Sequence, residues 1–143
     1  MIPKLLKLTF LEKYAGYGAL LLRLVVGSFL VYGTQDNVFS YARMVEFEHF
    51  LAARGVPFPL VAAFVSAYAQ FVCGILFILG AATRAAGALM VINFIAAIVI
   101  AHRRDSFQGM LAALMMLAAA FFFLLHVAGK PSVDEGLKKS GAR

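Results

Sequence analysis

The sequence has a single cysteine, Cys73. One thiol closes no internal disulfide. It also excludes a CxxC redox pair, a CxxCH haem attachment and a cysteine-built iron–sulfur or zinc centre. Cys73 lies inside an apolar run, where a free thiol packs as a small apolar side chain. Charge is scarce too: 14% of the 143 residues are Asp, Glu, Lys or Arg, while 63% are hydrophobic. A soluble domain carries about 25% charged residues, so the polar surface needed to coat a water-soluble globule is missing. No Gly-rich phosphate loop, Ser/His/Asp arrangement, flavin motif or pair of acids within an apolar run can be assembled from the chain.

The apolar excess is gathered into four segments, and the mean hydropathy is +0.89. They run from about Ala15 to Tyr32, Pro59 to Leu79, Arg84 to Ala101 and Phe107 to Ala128. Each approaches the roughly 20 residues that cross about 30 Å of hydrocarbon as a helix. Unpaired backbone is costly in lipid, so a helix is the form expected for each. The loops GAATR and HRRDSF are short, which makes the helices they join antiparallel neighbours. The fold class expected is an all-α integral membrane four-helix bundle. Three parts follow: a basic N-terminal segment at 1–14, a transmembrane domain at 15–129 and a polar tail at 130–143, mobile at its end. Between the first two spans, SYARMVEFEHFLAARG has a helical pattern with Ser40 as N-cap and Gly55 as stop. Met44, Phe47, Phe50 and Leu51 share one side of it, which suits a short interfacial helix or a cap on the bundle.

The net charge of +6 does not point to nucleic acid, because the basic residues flank apolar runs and no binding motif accompanies them. They orient the chain instead. Lys4, Lys7, Lys13, Arg84, Lys130, Lys138, Lys139 and Arg143 fall on the side of the termini, and Arg43, Arg54, Arg103 and Arg104 on the other. The positive-inside rule then places both termini in the cytoplasm. MIPKLLKLTFLEKY imitates a signal peptide, but YGTQDN beyond the first span has no small-x-small cleavage site, so the segment reads as a retained anchor.

Within the first span, GALLLRLVVGSFLVYG holds a guanidinium, Arg23, about 15 Å from the membrane entry. An Arg at a helix centre costs about 2.5–3.5 kcal/mol on insertion scales. Ala19 and Gly27 flank it at four-residue spacing, a stripe that admits a neighbouring helix. Ala62, Ser66, Gln70 and Gly74 form a matching stripe on the second span, and Asn93 lies at similar depth on the third. Arg23, Gln70 and Asn93 are therefore expected to meet inside the bundle as a ligand-binding polar cluster, the two amide carbonyls accepting from the five guanidinium donors. The alternative is that Arg23 snorkels to the headgroups while the amides bond elsewhere. No carboxylate is found at that depth, so the charge wants a counterion from a lipid, a partner or a ligand. On the opposite side, Asp36, Glu46, His49 and His102 make a polar outer-rim cluster, without the ligand spacing of a metal site. His102 and His126 end different spans at opposite faces and cannot ligate one haem.

The segments LLLRLVVGSFLVYG, GVPFP, AYAQFVCGILFILGAATRAAG, the third-span end AH and the tail GKPSVD resemble the DoxX family of small four-helix bacterial membrane proteins. The resemblance is most specific at the Leu79–Gly80 to Thr83–Arg84 junction and the first-span Leu-Arg-Leu. It implies the bacterial inner membrane and kinship with the membrane subunit of a thiosulfate–quinone oxidoreductase. The family pattern carries an acidic residue where Gln70 stands and a Gly pair where this chain has Cys73–Gly74, so a proton-transfer role does not carry over. A related quinone-reducing family relies on CxxC cysteines that are absent here. The function expected is a non-catalytic subunit or anchor of a redox-associated membrane complex, in contact with the lipid bilayer and with protein partners or further copies of itself. The alternative is a quinone- or anion-binding or transport module built on Arg23, Gln70 and Asn93. Quinone is the one cofactor class the resemblance suggests.

Overall fold

The structure, a computed structural model, describes residues 8–126 and 128–141. Lys4, Lys7 and Arg143 lie outside the described residues. A short 3-10 helix, Thr9–Tyr14, leads into α1 (Ala15–Phe39), followed by α2 (Tyr41–Ala53) and α3 (Pro59–Leu79). Next come α4 (Thr83–Ala96), a π-helical turn (Ala97–Ala101), α5 (Phe107–Leu125) and α6 (Val133–Gly141). Four of these stretches are long and apolar enough to cross a membrane: Phe10–Phe39, Pro59–Leu79, Thr83–Ala101 and Phe107–Leu125. Among the described residues there is no strand. The protein is an all-α membrane bundle.

Local chemistry sets most of the helix ends. Pro59 occupies the first turn of α3, where its missing N–H is no loss. Gly80 ends α3 in the left-handed region at φ 68°. Its N–H donates to Phe77 O at 3.1 Å, and the next N–H, Ala81, reaches Leu76 O at 3.0 Å. These bonds recover carbonyls that a helix end would otherwise strand. Ser106 caps α5, its Oγ accepting from Gly109 N–H at 3.3 Å. One end differs from the sequence expectation. The first helix does not stop near Tyr32 but continues through Gly33–Asn37 to Phe39. Polar residues are no obstacle to a helix outside hydrocarbon. Thr34 Oγ1 donates back to Leu30 O at 2.7 Å, and the chain turns extended only at Ser40.

The bundle is two close helix pairs. In α1 and α3, a Cβ on Gly27 would lie 2.6 Å from Gly74 O, and one on Gly74 2.9 Å from Gly27 O. The backbones touch there, the contact that small residues permit in membranes. In α4 and α5, a Cβ on Gly87 would lie 2.7 Å from Leu124 N. Phe77 and Phe123, both buried, pack at 4.4 Å between ring centroids and join the pairs. Around them lies a core of Val26, Leu30, Cys73, Met90 and Phe94.

The expected helix between the first two spans is α2, and it docks on its own bundle. Met44 and Leu51 are buried against Ala63, Ala67 and Ala101, with Phe47 packed at the edge. Gly55 follows at φ 74°. The polar tail is ordered near its start: Gly129 at φ 77° sits where a Cβ would lie 2.7 Å from Ala19 Cβ and 2.8 Å from Gly16 O.

Candidate functional site

Arg23 is fully buried. Its Nη2 donates to Pro131 O at 2.6 Å. Nε and Nη1 have no hydrogen-bond partner. Nη1 rests against the α3–α4 turn so closely that a Cβ on Gly80 would overlap it. The guanidinium thus lies at the end of the bundle where the termini and the α3–α4 turn gather. The expected meeting with Gln70 and Asn93 does not form. Gln70 Nε2 donates to Ser66 Oγ at 3.0 Å instead, and Asn93 Nδ2 has no partner.

The Gly27–Gly74 contact gives the physical reason. Arg23 lies four residues before Gly27 and Gln70 four before Gly74. In antiparallel helices those steps run in opposite directions, so the two residues separate by about eight residues, or ~12 Å. Side chains on a helix also lean toward its N-terminus, which carries the Arg23 head further away.

The tail brings a carboxylate into the neighbourhood of Arg23, although the two form no ion pair among the described residues. Asp134 acts on Arg23 through its charge. Its Oδ1 accepts from Ala82 N–H at 2.8 Å and its Oδ2 from Thr83 N–H at 3.0 Å. Its own N–H donates to Gly80 O at 3.0 Å. Asp134 therefore caps the N-terminus of α4 from 51 residues away. Burial pushes its carboxyl up, but the bonds from the Thr83 and Ala82 N–H groups, with Lys138 nearby, outweigh this and hold it below the ordinary carboxylate value. Ser132 fixes the approach, its Oγ donating to Gly129 O at 2.8 Å and accepting from Glu135 N–H at 3.2 Å. Ser132-x-x-Glu135 is the sequence signature of a helix start. The residues of three separate motifs (Arg23, Gly80–Thr83 and Pro131–Asp134) make one latch. Sequence reasoning quoted those motifs but gave Asp134 no role beyond its place in the polar tail.

The other polar group lines a cavity of about 570 Å³ in the half of the bundle away from the termini. Helices α1 to α5 and the π turn all contribute to it. Phe29, Phe47, Val65, Ile92 and Met116 supply apolar wall, and Thr34, Ser66, Gln70, Asn93 and His102 the polar lining. Gln70 and Asn93 face one space because α3 and α4 fold back across a tight turn, with about ten residues from each to it. Arg23 is not part of this wall. At the mouth, His102 N–H reaches back to Ala97 O at 2.9 Å, the five-residue step of a π turn. Such insertions disturb helix packing and recur at functional sites.

The outer-rim residues do not form one cluster. Glu46 pairs with Arg43 at 2.8 Å. Asp36 also acts on Arg43 through its charge, and the bond to Glu46 is the main reason the Arg43 pKa lies above its ordinary value. His102 stands apart, its Nδ1 2.7 Å from Asp105 Oδ2. Arg54 lies 3.8 Å from the same oxygen, over the Phe50 ring at 3.5 Å. The bond to His102 is the main reason the Asp105 carboxyl sits below its ordinary value. His49 has no hydrogen bond or ion pair among the described residues. Among them, too, no three His, Cys, Asp or Glu side chains gather as a metal site.

Residues 18–103 match the family model of DoxX, more than half of the chain. Most of the first span, all of the second and third and α2 fall within the match, and the latch segment Pro131–Asp134 falls beyond it. No curated protein and no solved structure matches the chain significantly.

Proposed function

The chain belongs to the DoxX family and is a multi-pass membrane protein, and from that premise we propose a non-catalytic subunit of a redox-associated membrane complex whose cavity holds a lipophilic carbonyl compound of the quinone class. One observation carries the reading. Asn93 Nδ2 is a buried donor without an acceptor, on the wall of an apolar cavity of about 570 Å³. An unmet buried donor costs about 1–3 kcal/mol, and a ligand carbonyl that reaches it after a rotation of the Asn93 side chain into the cavity recovers it. Volume and lining are those of small-molecule sites, which are mostly apolar with a few placed polar groups. Gln70, tied to Ser66 through its amide nitrogen, adds a second polar contact on the same wall.

Amides and hydroxyls hold and orient a carbonyl head. They do not exchange electrons, which assigns any redox step to a partner in the complex. The bias of Lys and Arg toward the side of the termini supports a cytoplasmic position for both ends in a bacterial inner membrane. A reading that pools Arg23 with Gln70 and Asn93 for an anion has less support, since the guanidinium is engaged by Pro131 and does not line the cavity.

The test is thermal stability of the full chain in mild detergent with decylubiquinone. Wild type gains stability in proportion to ligand, and Asn93→Leu does not. A wild-type protein whose melting is unmoved at saturating decylubiquinone refutes the quinone reading.

A further inference from the structure

A second groove lies on the opposite half of the bundle, between the first part of α1 and the end of α5. It encloses about 590 Å³ and is lined by Ala15, Gly18, Leu21, Val25, Phe122 and His126 among others. Its floor is open where Ala15, Gly18 and Ala19 are small, and nothing lies within 4 Å of a Cβ built on Gly18. Leu21 and Val25 stand 65% and 59% exposed along it, inside a stretch that spans the membrane. The medium facing the groove is therefore hydrocarbon. One wall is stiff, with the His126 ring stacked on Phe122 at 4.8 Å.

The end of this groove nearest the termini is basic. Lys13 comes two residues before Ala15 and lies over the Tyr14 ring at 4.8 Å. The Arg84 guanidinium donates to Leu125 O at 3.3 Å, one residue from His126. The Lys130 backbone and side chain pack against Gly16. Lys130 Nζ has Glu135 at 3.6 Å, while Lys13 and Arg84 have no carboxylate within ion-pair distance among the described residues. A second copy of the chain docked on this face would bring like charges together. A diacyl lipid with an anionic headgroup matches both parts: a flexible chain for the apolar trough, and a phosphate for the basic rim where a membrane surface would lie.

We propose that the α1–α5 groove is a binding site for an anionic phospholipid, with one acyl chain along Gly18 and Val25 and its phosphate received by Lys13 and Arg84. The site is separate from the cavity around Asn93 and does not depend on what that cavity holds.

Native mass spectrometry of the full chain in mild detergent, titrated with dioleoylphosphatidylglycerol and dioleoylphosphatidylcholine, tests it. Two basic side chains near a membrane surface favour an anionic lipid by about tenfold or more, so wild type retains phosphatidylglycerol at about tenfold lower concentration than phosphatidylcholine. The Lys13→Gln/Arg84→Gln double variant brings the two lipids to parity. Gly18→Leu, whose side chain enters open space, weakens retention of both while far-UV circular dichroism and melting stay as in wild type. Equal retention of the two lipids by wild type overturns the proposal, as does an undiminished preference in the charge variant. A dimer that Gly18→Leu dissociates would assign the groove to a second copy and overturn it as well.

Discussion

Gly27 and Gly74 meet backbone to backbone, each placed so that a Cβ on it would press within 2.9 Å of the other's carbonyl oxygen. This contact sets the register of α1 against α3. It sends Arg23 to one end of the bundle and Gln70 toward the other. Neither backbone can give way without parting the helices, so Gly27→Leu is expected to cost about 3 kcal/mol or more, the upper range for overpacking. Gly33→Leu, on the same helix with open space around its Cβ, is the control and is expected to change little. Reversible unfolding in mixed micelles, read by circular dichroism, separates the two.

Gly80 meets two demands at once. Its φ of 68° is costly for any residue with a Cβ, and that Cβ would also overlap Arg23 Nη1. Gly55 shares the first demand, at φ 74°, without the second. Gly55→Ala is therefore expected to cost about 1–2 kcal/mol, the penalty of the left-handed region. Gly80→Ala should cost clearly more and should also free the tail. Limited proteolysis beyond Ala128 reports the second effect: cleavage accelerates in Gly80→Ala and not in Gly55→Ala.

The latch is pH-dependent with a defined sign. Asp134 sits below its ordinary carboxylate value in the folded protein, and an unfolded Asp titrates near 3.9. The carboxylate therefore contributes stability that is fully present above about pH 4 to 5 and is lost as pH falls through the folded value. Arg23, Lys138 and the Ala82 and Thr83 N–H groups are what it faces. Hydrogen exchange at Ala82 and Thr83 should lose protection below about pH 4, after correction for the intrinsic rate. In Asp134→Asn the same amides should be less protected at neutral pH and show little further acid loss. Equal protection in the variant at pH 7 would show that the carboxylate does not hold the turn.

How much of this was legible in the sequence depends on the distance over which each fact is decided. The spans follow from local hydropathy, and α2 from a stripe of Met44, Phe47 and Leu51; Ser40 stands at its N-cap position but its side chain makes no capping bond. The end of α1 was misread because polar residues after Tyr32 look like a loop, although nothing before Ser40 breaks a helix. The partner of Arg23 was out of reach for another reason. Depth counted from span ends assumes that helices align at their ends, whereas α1 and α3 align at a glycine pair. Asp134 is remote from both Arg23 and Thr83, and no periodicity links them. The Ser132-x-x-Glu135 spacing was a usable sign that the tail begins a helix at a fixed place. The convergence of the DoxX-like segments on one latch needed coordinates.

Asn93 provides a prediction in which stability and function move in opposite directions. Its Nδ2 is buried without an acceptor, so the ligand-free protein carries the desolvation cost of that donor. Asn93→Leu removes the donor at similar volume and is expected to raise the stability of the empty protein by about 1–3 kcal/mol. The same change should abolish stabilisation by decylubiquinone. Gln70→Leu differs, because it also strands Ser66 Oγ, and should gain little. A residue kept only to build the bundle would not show this pairing: its loss would lower stability and leave the ligand response in proportion. Melting curves of wild type and the two variants, with and without decylubiquinone, decide between those outcomes.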